Sequence, residues 1–321
     1  MRYEPHDYQQ HATRFITDNT EAAILLGMGL GKSVITLTAL WELLLDSFLV
    51  RRVLVVAPLR VARDTWPGEL AKWDHLSGLA MAVAVGTKPE RLGALAKNAM
   101  VTVINRENIP WLVEHYGSTW PFDMVVIDEL SSFKNPQAKR FKALASTRAN
   151  VTRMVGLTGT PAANGLMDLW AQFRLLDGGV RLGRYITGYR NRWFTPDKRN
   201  GQQVFTYKPR EGAEAEIYAA IADMTISMKT TDHLQLPDLT VTTTPVALSQ
   251  KERDVYERLR DDLVIALGND VIDASNAAAL SGKLLQLASG AIYTSDGDTI
   301  GVHDRKLDAL EDILEAANGQ P

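Results

Sequence analysis

Residues 22–33 constrain the chain most. Ala22–Leu26 is a short apolar run, and Gly27-Met28-Gly29-Leu30-Gly31-Lys32-Ser33 follows it directly, ahead of an apolar helical stretch. Strand, glycine-rich turn and helix in that order aim backbone N–H groups at whatever anion sits at the helix start. Glycines let the turn close tightly. A lysine at position 32 reaches β- and γ-phosphates, and the Ser33 hydroxyl is placed to ligate magnesium. The strict phosphate-loop pattern has glycine five positions before Gly31, where Leu26 stands; the shorter Gly-x-Gly-Lys-Ser is intact. The plainer alternative is a glycine-rich turn with a solvated lysine.

Further apolar, β-branched runs argue against that alternative. Val53–Ala57, Met81–Val85, Met100–Ile104, Met124–Ile127 and Met154–Leu157 read as buried strands, with Ser33–Leu45 and Arg91–Asn98 among the helices between them. Strands apolar on both faces and alternating with helices predict an α/β fold, a parallel sheet covered on both sides. In such a sheet the chemistry lies at the carboxyl ends of strands. Val125-Val126-Ile127 ends in Asp128 and Glu129, an acid to hold magnesium and a second to polarise water. Leu157 is followed by Thr158, Gly159, Thr160 and Pro161, which offer two hydroxyls and a flexible backbone, or a simple turn. Val53–Ala57 leads to Pro58, Leu59, Arg60 and Arg63, arginines that either meet nucleic-acid phosphates or are solvated.

The pattern changes after about residue 165. Leu166–Leu176 and Glu211–Met224 read as helices, and Leu239–Leu248 alternates as a strand would. Ser249 with Glu252 three residues on forms a capping box. Ile265–Leu287 continues as helix, Asp296–Gly297 marks a turn, and Lys306–Ala317 is a last helix. The expected division is residues 1–235 and 236–321, the second mostly helical.

Absence of cysteine excludes disulfide scaffolds and thiolate metal sites. No run of about 18 apolar residues exists, so no spanning helix is expected, and a polar start predicts a soluble, cytoplasmic protein. The net charge of -3 hides an uneven distribution. Residues 1–179 carry 19 basic and 17 acidic side chains, 180–210 carry eight and one, and 211–321 carry eight and 20. The balances are +2, +7 and -12. The basic segment includes Arg190, Arg192, Lys198 and Arg199, interleaved with Tyr185, Tyr189, Trp193, Phe194, Phe205 and Tyr207. Such a stretch tracks a nucleic-acid backbone and stacks bases, or its rings pack inward while its arginines are solvated.

In this order the segments resemble the Swi/Snf-type branch of superfamily 2 helicases and DNA translocases, in particular its short phage and bacterial members. Tyr8-Gln9 resembles the opening motif, whose glutamine reads the adenine edge. Gly27–Ser33 resembles motif I, with Gly29, Leu30, Gly31, Lys32 and Ser33 toward the nucleotide. Ala57-Pro58-Leu59 with Trp66 and Lys72-Trp73 resembles motif Ia, and Val103–Glu107 motif Ib. Arg60 and Arg106 would then contact DNA. Asp128-Glu129-Leu130-Ser131 resembles motif II, with Leu-Ser where the family has Ala-His. Leu157–Pro161 resembles motif III, and Leu234–Pro237 with Leu248-Ser249-Gln250 the bridge to a second lobe. The resemblance implies a RecA-like fold, ATP and Mg2+ as cofactors, duplex DNA read through its phosphates, and two lobes closing on ATP. No Gln-x-x-Gly-Arg-x-x-Arg stretch, the second lobe's arginine motif, occurs in the chain. The expectation is therefore a first lobe plus the start of a second, in an ATPase that needs the rest of that lobe, as a missing partner, for full activity. The alternative is a nucleotide-gated DNA-binding module without sustained turnover. A nuclease finds no second acidic-lysine cluster, and a transporter-type ATPase finds none of its signature segments.

Overall fold

The computed structural model describes residues 1–159, 165–200, 203–228, 242–267, 270–273, 277–294 and 297–316. The chain divides into two compact units, Met1–Leu236 and Pro237–Pro321.

The first unit is built on seven parallel strands. They are β1 (Glu21–Leu26), β2 (Val53–Ala57), β3 (Met81–Val83), β4 (Val101–Asn105), β5 (Met124–Asp128), β6 (Arg153–Thr158) and an edge strand, Thr225–Met228. Their order across the sheet is Thr225–Met228, β1, β6, β5, β2, β4, β3, all in parallel register. Successive side chains of a strand point to opposite faces, which explains why the strands are apolar throughout. On β2, Leu54 and Val56 enter one core with Phe122, Leu144 and Phe173. Val53, Val55 and Ala57 enter the other with Ile16, Leu37 and Trp66. All five β2 residues are fully buried, and each large one contributes roughly 1.5–3 kcal/mol by leaving water.

Helices cover both faces: α1 (Asp7–Asp18), α2 (Lys32–Trp41) and α3 (Trp66–Lys72) on the second core, α5 (Ile109–Tyr116), α6 (Lys139–Ser146) and α7 (Met167–Asp177) on the first. Between these in sequence lies α4 (Lys88–Ala96), started by Thr87 and Glu90 as a capping box. In this unit the expected strands and helices are present to within a few residues. The edge strand Thr225–Met228, only four residues long, has no counterpart among them.

Three of the interleaved aromatics belong to the core. Tyr189 and Trp193 on α8 (Ile186–Trp193), with Phe194, are buried. The Tyr189 hydroxyl donates to Leu166 O at 2.7 Å and Trp193 Nε1 to Glu216 at 2.9 Å, on α9 (Ala213–Ile221). They do not present rings for base stacking; Tyr185 and Phe205 are exposed. Arg181 likewise leaves the basic surface, bonding Asp223 at 2.8 Å and Glu21 at 3.1 Å.

The second unit corrects two expectations. Residues 242–248 form no strand, and 239–241 lie outside the described residues. The helix expected over Ile265–Leu287 is a hairpin, Val264–Leu267 against Asp270–Asp273, followed by a helix over Ala277–Ala288. Leu263 stops the preceding helix, Gln250–Asp262, in a left-handed conformation at φ 62°. Val264, Ile265, Val271 and Ile272, all β-branched, then favour extended chain. Ser249 caps Gln250–Asp262 through the capping box read from sequence. A second hairpin, Ala291–Tyr293 with Thr299–Gly301, and a helix, Arg305–Ala316, follow. The remainder is mostly helical around Leu259, Ile265, Ile272, Leu287 and Ile292. Among the described residues no helix is long and apolar enough to cross a membrane. Leu234–Pro237 lies outside the described residues.

Candidate nucleotide site

The sheet order brings the motifs together. β6 lies between β1 and β5, pairing Leu25 with Thr158 on one side and Asp128 with Leu157 on the other. The phosphate loop, Thr158 and the two acids therefore share one carboxyl edge. The loop closes through Gly29 and Gly31, both left-handed at φ 79° and 78°, and α2 starts at Lys32. Gly31 also has to be small, since a Cβ there would meet Gln9 Nε2 at 2.7 Å. Gly159 packs on the same loop, its Cβ position 3.4 Å from Leu26 O. Leu30 is buried beneath the loop.

Lys32 Nζ donates to Leu26 O at 2.9 Å and Gly27 O at 3.0 Å. Burial lowers its pKa, while the charges of Asp128 and Glu129 oppose that shift. Desolvation raises the Asp128 carboxyl above the usual range, against the hydrogen bond from Trp66 and the charge of Lys32. Trp66 Nε1 donates to Asp128 Oδ2 at 2.9 Å. Glu129 is left-handed at φ 61°. Its Oε1 accepts from Thr158 Oγ1 at 2.9 Å and from the Ser131 hydroxyl. Ser131, standing where the family has histidine, thus bonds Glu129 directly, and Glu129 makes the link to Thr158.

A cavity of about 470 Å³ opens beside the loop, within the range of roughly 300–1,000 Å³ typical of small-molecule sites. Gly29, Gly31, Lys32 and Ser33 form the wall on the loop side. Tyr3, His6 and Gln9 form a second wall; Thr65, Glu69, Lys72 and Trp73 form a third. Gln9 is buried and held from both ends, its Oε1 accepting from His6 N at 3.0 Å and its Nε2 donating to Leu30 O at 3.5 Å. Ammonium, hydroxyl and paired carboxylates at one edge, with Gly31 where a Cβ would intrude on Gln9, fit a magnesium-bound nucleotide. Thr160 lies outside the described residues.

Sequence reasoning names Trp66 and His6 only as parts of motifs and misses Tyr3 and Glu69. No spacing rule connects Trp66 to Asp128 across 62 residues.

The expected nucleic-acid residues are scattered. Arg60 is exposed just beyond β2. Arg106, beyond β4, is ion-paired with Glu107 at 2.8 Å. Arg63 is paired with Asp64 at 2.9 Å. Arg190 lies 4.6 Å from the Tyr207 ring and Arg192 4.3 Å from the Trp193 ring. Lys198 is exposed, and Arg199 lies on a two-residue strand paired with Gln203–Val204.

A parallel sheet with these motifs at one carboxyl edge defines a RecA-like lobe of the phosphate-loop class. The sequence matches the SNF2-related domain over residues 8–292. The chain belongs to that family. It is 39% identical over 326 residues to "Putative protein p41" of Acyrthosiphon pisum secondary endosymbiont phage 1, covering 99% of this chain and 71% of that protein. It is 30% identical over 168 residues to the mouse "DNA excision repair protein ERCC-6-like", covering 50% of this chain and 13% of that one. The "Sulfolobus solfataricus SWI2/SNF2 ATPase core in complex with dsDNA" superposes with a TM-score of 0.62 at 20% identity, over 99% of this chain and 65% of that chain. That likeness shows the fold.

Proposed function

We propose that this chain is the ATP-binding lobe of a DNA translocase, coupling Mg·ATP binding and hydrolysis to movement on duplex DNA. The observation that carries the reading is the convergence of Lys32, Asp128 and Glu129 beside a cavity walled by the phosphate loop and Gln9. Lys32 exchanges its two loop carbonyls for β- and γ-phosphate oxygens. Ser33 and Asp128 would hold magnesium, which when bound would supply charge to neutralise the phosphates. Glu129 orients water, with Thr158 and Ser131 fixing Oε1. Gln9, Gly29, Leu30, Gly31, Thr158, Gly159 and Thr160 complete the nucleotide contacts. Arg60, Arg106, Arg190, Arg192, Lys198 and Arg199 are the proposed phosphate contacts on DNA. The phage relative supports action in a host cytoplasm.

An opposing arginine contributes roughly 10³–10⁵ in rate at comparable sites. The 321 residues contain no Gln-x-x-Gly-Arg-x-x-Arg stretch, so we expect slow turnover by this chain alone. That observation equally favours a nucleotide-gated DNA-binding module. The test is ATP binding and hydrolysis with and without duplex DNA, using Lys32→Ala as control. Brisk DNA-stimulated turnover by this chain would remove the need for a second lobe. Failure to bind ATP in magnesium would end the whole proposal.

A further inference from the structure

Trp66 is the first residue of α3 and is fully buried. Its ring fills the core with Leu37, Val55 and Ala57, while its indole N–H reaches across to the proposed metal carboxylate. An indole has only one donor, and here a charged oxygen takes it at 2.9 Å. Because the ring is immobilised by packing, the bond fixes which way the Asp128 carboxylate faces.

The same residue is continuous in sequence with a proposed DNA contact. The wide helical turn Val61–Thr65 runs directly into Trp66, and exposed Arg60 precedes that turn. One continuous helical segment therefore carries a candidate phosphate contact at one end and a carboxylate anchor at the other.

We infer that Trp66 is a positioning residue for magnesium, acting through the Oδ2 atom of Asp128. This rests on the reading of Asp128 as a metal ligand. Partners that orient a metal-binding carboxylate typically account for 10–100-fold in metal affinity. Trp66→Phe keeps the aromatic ring and deletes the donor.

The experiment titrates Mg2+ into the full chain with a fluorescent ATP analogue, and measures analogue affinity in EDTA as a second readout. Trp66→Phe should leave affinity in EDTA unchanged and raise the half-saturating Mg2+ concentration about tenfold. Trp193→Phe is the control, since that indole is also buried and also donates to a carboxylate, that of Glu216. It should leave both readouts at wild-type values. On an Asp128→Asn background, Trp66→Phe should add nothing further. Trp66→Leu, which also lacks a donor, substitutes if the phenylalanine variant does not fold. A wild-type Mg2+ midpoint in Trp66→Phe overturns the inference and leaves the ATP site standing. Equal loss in EDTA and in magnesium overturns it too, because that pattern marks general damage. Wild-type protein that binds no analogue under either condition overturns the parent reading and this inference together.

Discussion

Thr158 and Glu129, 29 residues apart, share a hydrogen bond in which Thr158 Oγ1 donates to Glu129 Oε1 at 2.9 Å. Thr158 ends β6 and Glu129 follows β5, so the bond crosses neighbouring strands of the sheet. It joins the proposed water-orienting acid to the segment that resembles the third motif. A hydrogen bond to a charged group contributes about 1.5–3 kcal/mol. If that contribution is expressed in the transition state, Thr158→Val should slow single-turnover ATP hydrolysis about tenfold or more. Nucleotide affinity should hold, and Thr158→Ser should recover the rate. An unchanged rate in the valine variant would show that the bond has no part in the chemistry.

Gly31 and Gly29 separate two effects of the phosphate loop. Both are left-handed, which costs an L residue roughly 1–2 kcal/mol. A Cβ at Gly29 meets nothing within 4 Å, whereas one at Gly31 meets Gln9 Nε2 at 2.7 Å. Gly29→Ala should therefore lower stability and leave the preference for ATP over GTP intact. Gly31→Ala should lower it and also displace Gln9, eroding preference for ATP over GTP. Competition binding with the two nucleotides measures this; equal preference losses in both variants would exclude Gln9 as the reader.

Much of this is legible in sequence because it is local or periodic. Val53–Ala57 is buried on both faces, and five consecutive apolar residues announce that. Lys32, Asp128 and Glu129 fall at strand ends, where a parallel sheet collects its loops. Thr225–Met228 escapes notice because four alternating residues give little pattern. Ile265–Leu287 reads as one helix because the stop is Leu263, whose φ of 62° no glycine advertises. Tyr189, Trp193 and Phe194 show that aromatic content cannot distinguish a stacking surface from a core. Trp66 with Asp128 is a purely tertiary pairing.

Arg181 ties the start of β1 to the C-terminal end of α7, pairing Glu21 at 3.1 Å and Asp177 at 3.5 Å. It bonds Asp223 as well, and these partners raise its pKa. The Asp177 side chain is fully buried, so deleting its cation leaves a poorly compensated charge. Arg181→Met should destabilise the first unit by about 3 kcal/mol, while Arg192→Gln should change it by less than about 0.5 kcal/mol. Denaturant unfolding measures both. Equal midpoints would show that the cluster is solvated rather than structural.

The capping box at Ser249 gives a pH signature. Hydrogen bonds from the Ser249 side chain and backbone, with Arg305, lower Glu252 from 4.5 to about 2. A carboxylate lowered by folding stabilises the fold above its unfolded pKa, and that contribution disappears as pH falls through the folded one. The sensitive window is therefore between 4.5 and about 2. Ser249→Ala should move the Glu252 titration upward and narrow that window. An NMR pH titration of the Glu252 side chain reads it directly; no upward movement would remove Ser249 as the cause.

Salt dependence decides whether residues 180–210 hold DNA. Arg192 and Lys198 are exposed on or just beyond α8, and Arg190 is braced by the Tyr207 ring at 4.6 Å. With Tyr189, Trp193 and Phe194 committed to the core, the arginines and lysine remain to meet the DNA backbone. Each neutralised phosphate contributes about 0.9 to the slope of log affinity against log salt on duplex DNA. Replacing Arg190, Arg192, Lys198 and Arg199 by glutamine should lower that slope by about one for each phosphate no longer neutralised. Tyr185→Ala with Phe205→Ala should leave the duplex slope unchanged, because rings stack on bases rather than neutralise phosphates. Filter binding on one duplex across a salt series measures both variants. If the fourfold glutamine variant keeps the wild-type slope, this segment is outside the DNA path, and exposed Arg60 becomes the leading candidate. If instead the ring variants weaken binding to single strands alone, the exposed aromatics serve displaced bases while the duplex runs elsewhere.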